Sequence, residues 1–373
     1  MLKSHNTLWR AAGPAILSLV MVALLAYPGL GVQANPPSPT GQNDVDAVTA
    51  SPSLHNPTFD NHKWYEFSGR YDSSYPAGSW LPDDDTAGGP QDWRLWFQDG
   101  TDILETDPEA TYAHHTEGVQ IRTYGQGKHL GGLYQPIYGV TPCLTYQFTM
   151  YVWSFQEEST DSLVALQVGI DRAGWHPDSA NDPAIDAFPS TTVWGTSRRY
   201  TSGYGQLSVT AEAFDDQITV FTYADANGGR SHRILWDTGS FANVTPAWLY
   251  DPEDLSATGG INGLTATPGT TSATVSWTTS SSGISQVYYQ SLGPSTSPTA
   301  TQQMTYTVYL PLVNQGSHWQ ATTLNTTPKT SHAFTLTGLE PGYVYEYIVV
   351  TRGVSGAQCA SWVSSRQEFT TNE

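Results

Sequence analysis

The stretch GGLYQPIYGVTPCLTYQFTMYVWSFQEESTDSLVALQVGID, Gly131 to Asp171, decides the fold. From Leu144 to Phe155 its side chains alternate. Leu144, Tyr146, Phe148, Met150 and Val152 form one set, and Thr145, Gln147, Thr149, Tyr151, Trp153 and Phe155 form the other. A period of two with one apolar face is a half-buried β-strand. Val164, Leu166, Val168 and Ile170 repeat the pattern on the next strand, opposed to Gln167, Gly169 and Asp171. The second set on the first strand is unusual, being polar for three positions and then aromatic for three. Glutamines beside aromatic rings on an open sheet suit a sugar-binding groove. A wet sheet face with a few aromatics has the same composition.

The whole chain sets bounds on these two meanings. It has 373 residues, of which 13% are charged, and its 34 acids outnumber 15 Lys and Arg for a net charge of −19. Nucleic-acid binding needs a basic footprint, which is absent, and so does an anionic membrane surface. Aromatics make up 12%, with 13 Trp and 21 Tyr, which argues for packed cores. Gly, Ser, Thr and Pro abound without long stretches of 3.6-residue periodicity, so the expected class is all-β.

Lys3 and Arg10 flank an apolar run from Ala11 to Leu25, and Val32-Gln33-Ala34 fits a small-residue cleavage site. This is the pattern of a signal peptide over 1–34, so a secreted or cell-surface protein is expected. The two cysteines, Cys143 and Cys359, either form a disulfide joining two domains or remain as two buried thiols; the sequence leaves both open.

Residues 35–55 read as a flexible linker, rich in Pro, Ser, Thr and Asn. A first β-domain spans 56–246. It starts with a strand over Lys63–Phe67 and a loop over Tyr71–Gln91. In the strand that follows, Trp93, Leu95 and Phe97 share one side and Trp96 takes the other. Eight to ten strands across this length predict an antiparallel jelly-roll sandwich. Residues 247–260 read as a short acidic linker, and 261–372 as a second β-domain with an insertion at about 291–320. Within the second domain, strands are expected at Ala273–Trp277, Gln286–Tyr289, Tyr306–Val313 and Tyr343–Thr351, with Pro311 marking an edge or a strand end.

The second unit resembles a fibronectin type III domain, an immunoglobulin-like sandwich. Trp277 matches the core tryptophan of that family, and Leu339-Glu340-Pro341-Gly342-Tyr343-Val344-Tyr345 looks like its turn and tyrosine corner, with Tyr345 at the corner. TSATVSWTT followed by SQVYYQ is similar to the variant at the N-terminus of purple-acid-phosphatase-like proteins. No metallophosphatase domain follows, so that activity does not carry over. The first unit resembles the galactose-binding-like jelly rolls used as carbohydrate-binding modules, through Asn56-Pro57-Thr58-Phe59-Asp60, GLYQPI with CLTYQF, and the late Trp236-Asp237. The resemblance implies a structural calcium held by Asp60 and Asp237, and it places Cys143 where the turn usually has Gly.

Sugars stack their apolar ring faces on aromatic side chains and pair their hydroxyls with amides and charged groups. The candidate carbohydrate-binding residues are Gln147, Tyr151, Trp153 and Gln167, with Arg122 as a donor from a neighbouring strand and Trp175 and Trp194 capping the groove. Glu105-Thr106-Asp107-Pro108-Glu109 imitates the spaced acids of some jelly-roll glycosidases, but Pro108 suggests a surface turn instead. The acid-rich loop from Asp171 to Asp186 reads as solvated, and the adjacent His114 and His115 would point to opposite faces of a strand. The sequence therefore favours a secreted, non-catalytic glycan-binding protein whose second domain is a spacer or second contact. A surface protein binding other proteins, through the Tyr306–Val313 edge, is the alternative; a glycosidase or lyase comes third.

Overall fold

The computed structural model describes residues 52–373 except 60–63, 67–69, 72–79, 82–87, 91, 101–102, 110–112, 115–117, 124–128, 157–163, 178–186, 227–231, 296–317 and 357. The expected leader, Asp60, Asp178, Asp182, Asp186, His115 and the Tyr306–Val313 strand lie outside the described residues. The described chain is all-β.

Four short strands come first: β1 (Trp64–Glu66), β2 (Arg70–Tyr71), β3 (Trp80–Leu81) and β4 (Gly88–Pro90). They pair as two ribbons, β1 with β4 and β2 with β3. Two strands therefore fall within the stretch expected to be a loop over Tyr71–Gln91.

Ten strands then build the first sandwich. They are β5 (Arg94–Gly100), β6 (Ile103–Glu109), β7 (Gly118–Thr123), β8 (His129–Tyr138) and β9 (Thr145–Gln156), followed by β10 (Ala165–Asp171), β11 (Thr192–Trp194), β12 (Gly205–Glu212), β13 (Gln217–Ala226) and β14 (His232–Asn243). One sheet has the order β11-β10-β13-β8-β5 and the other β12-β9-β14-β7-β6. The chain changes sheet at nearly every step from β7 to β14, so strands adjacent in sequence belong to opposite layers.

The inward set read from the sequence fills the space between the layers. Leu144, Tyr146, Phe148, Met150 and Val152 are buried with Val164, Leu166, Val168 and Ile170 from the facing sheet, and Leu207, Val209 and Ala211 join them. Each such side chain stabilises the fold by about 2 kcal/mol relative to exposure. Trp93 and Leu95 are also in this core, whereas Trp96 is not.

The Glu105–Glu109 stretch is a correction. It is not a turn but the outer strand β6, paired among the described residues with β7 alone. An edge strand tolerates Pro108 because one side of its backbone has no ladder to satisfy.

The second sandwich comprises β15 (Ile261–Pro268), β16 (Ser272–Pro294), β17 (Gln320–Ala321), β18 (Asn325–Thr337), β19 (Tyr343–Val354), β20 (Cys359–Val363) and β21 (Gln367–Thr370). The two strands expected at 273–277 and 286–289 are one continuous strand of 23 residues. Its first half pairs with β15 and β18, and its second half pairs with β19 after a register shift between Thr278 and Gly283. There the strand passes from one layer to the other. Trp277 is buried in the core with Val275, Val287, Leu336, Tyr347 and Val349, and its Nε1 donates to Thr351 Oγ1 at 2.8 Å.

Each sandwich contains a tyrosine corner. Tyr345 Oη accepts the Glu340 amide at 2.8 Å, and Tyr146 Oη accepts the Thr141 amide at 2.8 Å. Both corners follow a Pro and a residue in the left-handed region, Gly342 at φ 69° and Cys143 at φ 64°. For a residue with a Cβ that conformation costs about 1–2 kcal/mol. Cys143 is bonded to Cys359, with Cα atoms 5.6 Å apart. A cross-link between residues so distant in sequence contributes on the order of 2–4 kcal/mol, which outweighs the strain of the turn.

The disulfide is one of several ties between the sandwiches. Ile284 is buried in the core cluster of the first, with Leu324, Val354 and Cys359 packed against it. Glu212 pairs with both Arg352 and Arg172, and Arg352 Nη1 donates to Tyr250 Oη at 2.9 Å. The 247–260 stretch is also more than a connector: Leu249 and Tyr250 donate their amides to Gln286 Oε1 and Tyr288 Oη, at 3.1 and 3.0 Å.

Candidate functional site

The first candidate surface is the outward face of the sheet built on β9. Strand alternation sends Gln147, Tyr151, Trp153 and Phe155 away from the core, and all four are half-buried. The register sets Tyr151 between Gln206 and Asp237, and Trp153 beside Leu235. The Trp153 and Phe155 rings lie 4.7 Å apart, and Tyr204 is 5.9 Å from Trp153. The backbone positions that carry these side chains are roughly 6.8 Å apart, two strand residues each.

Among the described residues, loop side chains frame the strip. Trp153 Nε1 donates to the Thr201 carbonyl at 3.3 Å. The exposed His114 stacks on Tyr151 at 4.2 Å and 14°, so one face of Tyr151 is already covered. Arg233 lies 6.0 Å from the Phe155 ring and donates to Gln120 Oε1 at 3.0 Å, which fixes a guanidinium beside the aromatics. Gln206 is exposed on β12 and reaches Thr149 Oγ1 at 3.4 Å, and Thr149 in turn bonds Ser240 Oγ at 2.8 Å. The face thus offers partly exposed rings, an amide, hydroxyls and a cation.

Arg122 is on β7, paired with Arg233 on one side and Glu105 on the other. Asp107 pairs with Gln120, which pairs with Leu235. The acids of β6 therefore sit in the same cross-strand rows as Phe155 and Trp153.

Gln167, Trp175 and Trp194 are elsewhere. They belong to the other sheet and its loops, on the opposite outward face of the sandwich, so the single groove expected from the sequence does not form. The reason is the change of sheet between β9 and β10. Gln167 Nε2 donates to the Gly195 carbonyl at 2.9 Å. Trp194 crosses Gly169, where a Cβ would come within 2.7 Å of the indole, so only Gly leaves room for the ring.

On this second face half-buried rings cover three buried ones. Trp96, Tyr134 and Phe221 are buried, with Trp175, Phe188, Trp194 and Tyr223 packed against them. Phe188 is the plug, with centroids 4.7 Å from Trp96, 4.8 Å from Trp194 and 5.1 Å from Phe221. Burial raises the pKa of Tyr134 and Tyr223 above the ordinary tyrosine value, opposed at Tyr134 by Arg94 and reinforced at Tyr223 by Asp225. Asp171 ties down both ends of the covering loop. Its carboxylate accepts the amides of Ala173 and Trp175 at 3.1 and 2.8 Å and the hydroxyls of Thr191 and Thr192 at 2.7 and 2.8 Å. Sequence reasoning missed Tyr134, Phe188, Phe221 and Tyr223; the outward parity of Phe221 and Tyr223 on their strand was the available signal.

Asp237 is buried, and both its oxygens accept hydrogen bonds, Oδ2 from the His114 amide at 2.6 Å and Oδ1 from Thr238 Oγ1 at 2.8 Å. Among the described residues both contacts come from donors, and Asp60, the other residue of the implied calcium pair, lies outside them. Among the described residues no three His, Cys, Asp or Glu side chains gather into a metal cluster.

No family model and no curated protein matches the sequence. Solved structures with a related architecture include TmCBM61 in complex with β-1,4-galactotriose, at 11% identity and TM-score 0.32, covering 52% of this chain and 99% of that one. A β-1,2-glucanase from Parabacteroides distasonis aligns at 10% identity and TM-score 0.26, covering 76% of this chain and 37% of the enzyme. Chicken CNTN1 FN1–FN3 domains align at 10% identity and TM-score 0.24, covering 79% and 93%. At these TM-scores the likenesses assign neither a ligand nor an activity.

Proposed function

We propose that the β9 face binds a glycan and that the protein acts by binding rather than by bond cleavage. The observation that carries this is the strip of Tyr151, Trp153 and Phe155, three half-buried rings at alternate positions of one strand, with the exposed Gln206 and the Arg233 guanidinium beside them. A sugar would stack on Trp153 and Phe155, and its hydroxyls would meet Gln206, Arg233 and the edge of Tyr151. Such a mix of apolar ring face and a few fixed polar groups is the general form of a small-molecule site.

Under this proposal the chain is exported with its leader removed after Ala34, and the fibronectin-like unit is a spacer or second contact. The Cys143–Cys359 disulfide supports an oxidising destination. The register of Glu105 and Asp107 alongside the aromatic strip favours a second reading, a glycosidase, which replacement of either acid would test.

Affinity electrophoresis through gels containing soluble β-linked polysaccharides is the direct test. Retardation of the wild type that Trp153→Ala reduces, with the melting temperature unchanged, supports glycan binding. Unretarded migration across a broad panel of neutral and acidic polysaccharides would sink it.

A further inference from the structure

A second cleft lies where the 247–260 stretch crosses the fibronectin-like unit. Trp248, Leu249, Tyr250, Asp251, Pro252 and Trp319 enclose about 500 Å³. The stretch is held from several directions. Gln286 Nε2 donates to the Ala247 carbonyl at 2.8 Å, the Tyr250 hydroxyl bonds Ser361 Oγ, and Trp319 Nε1 donates to Glu253 Oε1 at 3.0 Å. Trp248 stands 43% exposed at the cleft, edge-on to the buried Tyr288 at 5.8 Å. A lone exposed indole is ordinary. One that walls a cleft on a pinned backbone is a preformed contact surface.

The chemistry of the lining selects the occupant. Asp251 is exposed, with Oδ1 accepting the Glu253 amide at 3.0 Å, and Glu253 and Asp254 are exposed beside it. An anionic ligand would meet these acids and a chain of net charge −19. A cation would compete with Arg366, which lies 5.3 Å from the Trp319 ring and 3.7 Å from Glu253. A purely aliphatic ligand would desolvate Asp251 without pairing it. A neutral pyranose meets every requirement, with its C–H face on the Trp248 indole and its hydroxyls donating to Asp251.

We propose that this cleft is a second glycan subsite, taking a neutral sugar residue independently of the β9 face. It rests on the glycan-binding role proposed for that face. The test uses the full chain in affinity gels containing β-1,4-galactan, xylan or hydroxyethylcellulose, comparing Trp248→Ala, Trp248→Phe, Trp153→Ala and the Trp153→Ala/Trp248→Ala pair. We expect Trp248→Ala to bind about tenfold more weakly with unchanged melting temperature, and Trp248→Phe to recover part of the loss. Retardation remaining in Trp153→Ala should vanish in the double variant. If Trp153→Ala alone abolishes retardation and Trp248→Ala matches the wild type, the β9 face binds and the cleft does not. If the wild type is not retarded by any of the three polysaccharides, the glycan role of both surfaces fails together.

Discussion

The two outward faces of the first sandwich both carry aromatic rings and arrange them differently. On the face built around β13, rings lie on rings, with Phe188 packed against Trp96, Trp194 and Phe221. On the face built around β9, Tyr151, Trp153 and Phe155 keep part of their surface, framed by His114 and Tyr204 at its margin. The composition of a face does not decide its role. What differs is the packing, since Asp171 holds Trp175 and the Thr191–Thr192 segment so that rings stack two deep around β13. The β13 face stabilises the fold, and the β9 face is the one proposed to meet a ligand.

The largest effect expected from this contrast follows Trp96→Ala. Removing a buried indole that donates to the Thr222 carbonyl at 3.0 Å should destabilise the fold by about 3–5 kcal/mol in urea denaturation. Glycan affinity measured well below the denaturation midpoint should be preserved. Loss of affinity with retained stability would show that the β13 face, not the β9 face, meets the ligand.

An acid response should follow from two histidines between the faces. His129 and His232 are buried, one from each sheet. Burial, with His232 adding to it, pushes the His129 pKa down to about 3, and burial lowers that of His232. The unfolded chain therefore takes up protons first as the pH falls. Stability from the neutral imidazoles is complete above the unfolded value of 6.5 and is lost toward about 3. His129 should cost up to about 1.4 kcal/mol per pH unit within that window, and His129→Gln should flatten the slope of melting temperature against pH. An unaltered slope would show that His129 is not buried as a neutral group.

Phe188→Ala should have a smaller effect, about 1–3 kcal/mol, because its ring is only partly buried. It should also make Trp194 more accessible to iodide quenching. The smallest effect is expected at Asp237, under the β9 face. With both oxygens already accepting hydrogen bonds, EDTA should leave the melting temperature unchanged. A drop of several degrees would restore the calcium implied by the resemblance to carbohydrate-binding modules.

Much of the fold was legible because it is written in local alternation. The inward residues of β9, β10 and β12 could be named from parity alone, and the corner at Tyr345 from Glu340-Pro341-Gly342. The corner at Tyr146 was obscured because Cys143 occupies the left-handed position that Gly342 fills in the other sandwich. Alternation says which residues share a side of one strand, but not which sheet the strand joins. Gln167 was therefore grouped with Trp153, although β9 and β10 belong to different layers. Pro108 obscured an edge strand for a similar reason, since only the sheet order shows that β6 has one partner among the described residues. The packing of Phe188 on Trp96 and Phe221 joins residues distant in sequence, and no short-range pattern records it.

The most direct measurement compares wild type with Trp153→Ala in affinity gels containing soluble β-linked polysaccharides, with the melting temperature followed in parallel. We expect retardation of the wild type by at least one polysaccharide, weakened about tenfold in the variant with no change in melting temperature. Equal retardation of the two proteins would contradict the role assigned to the β9 face.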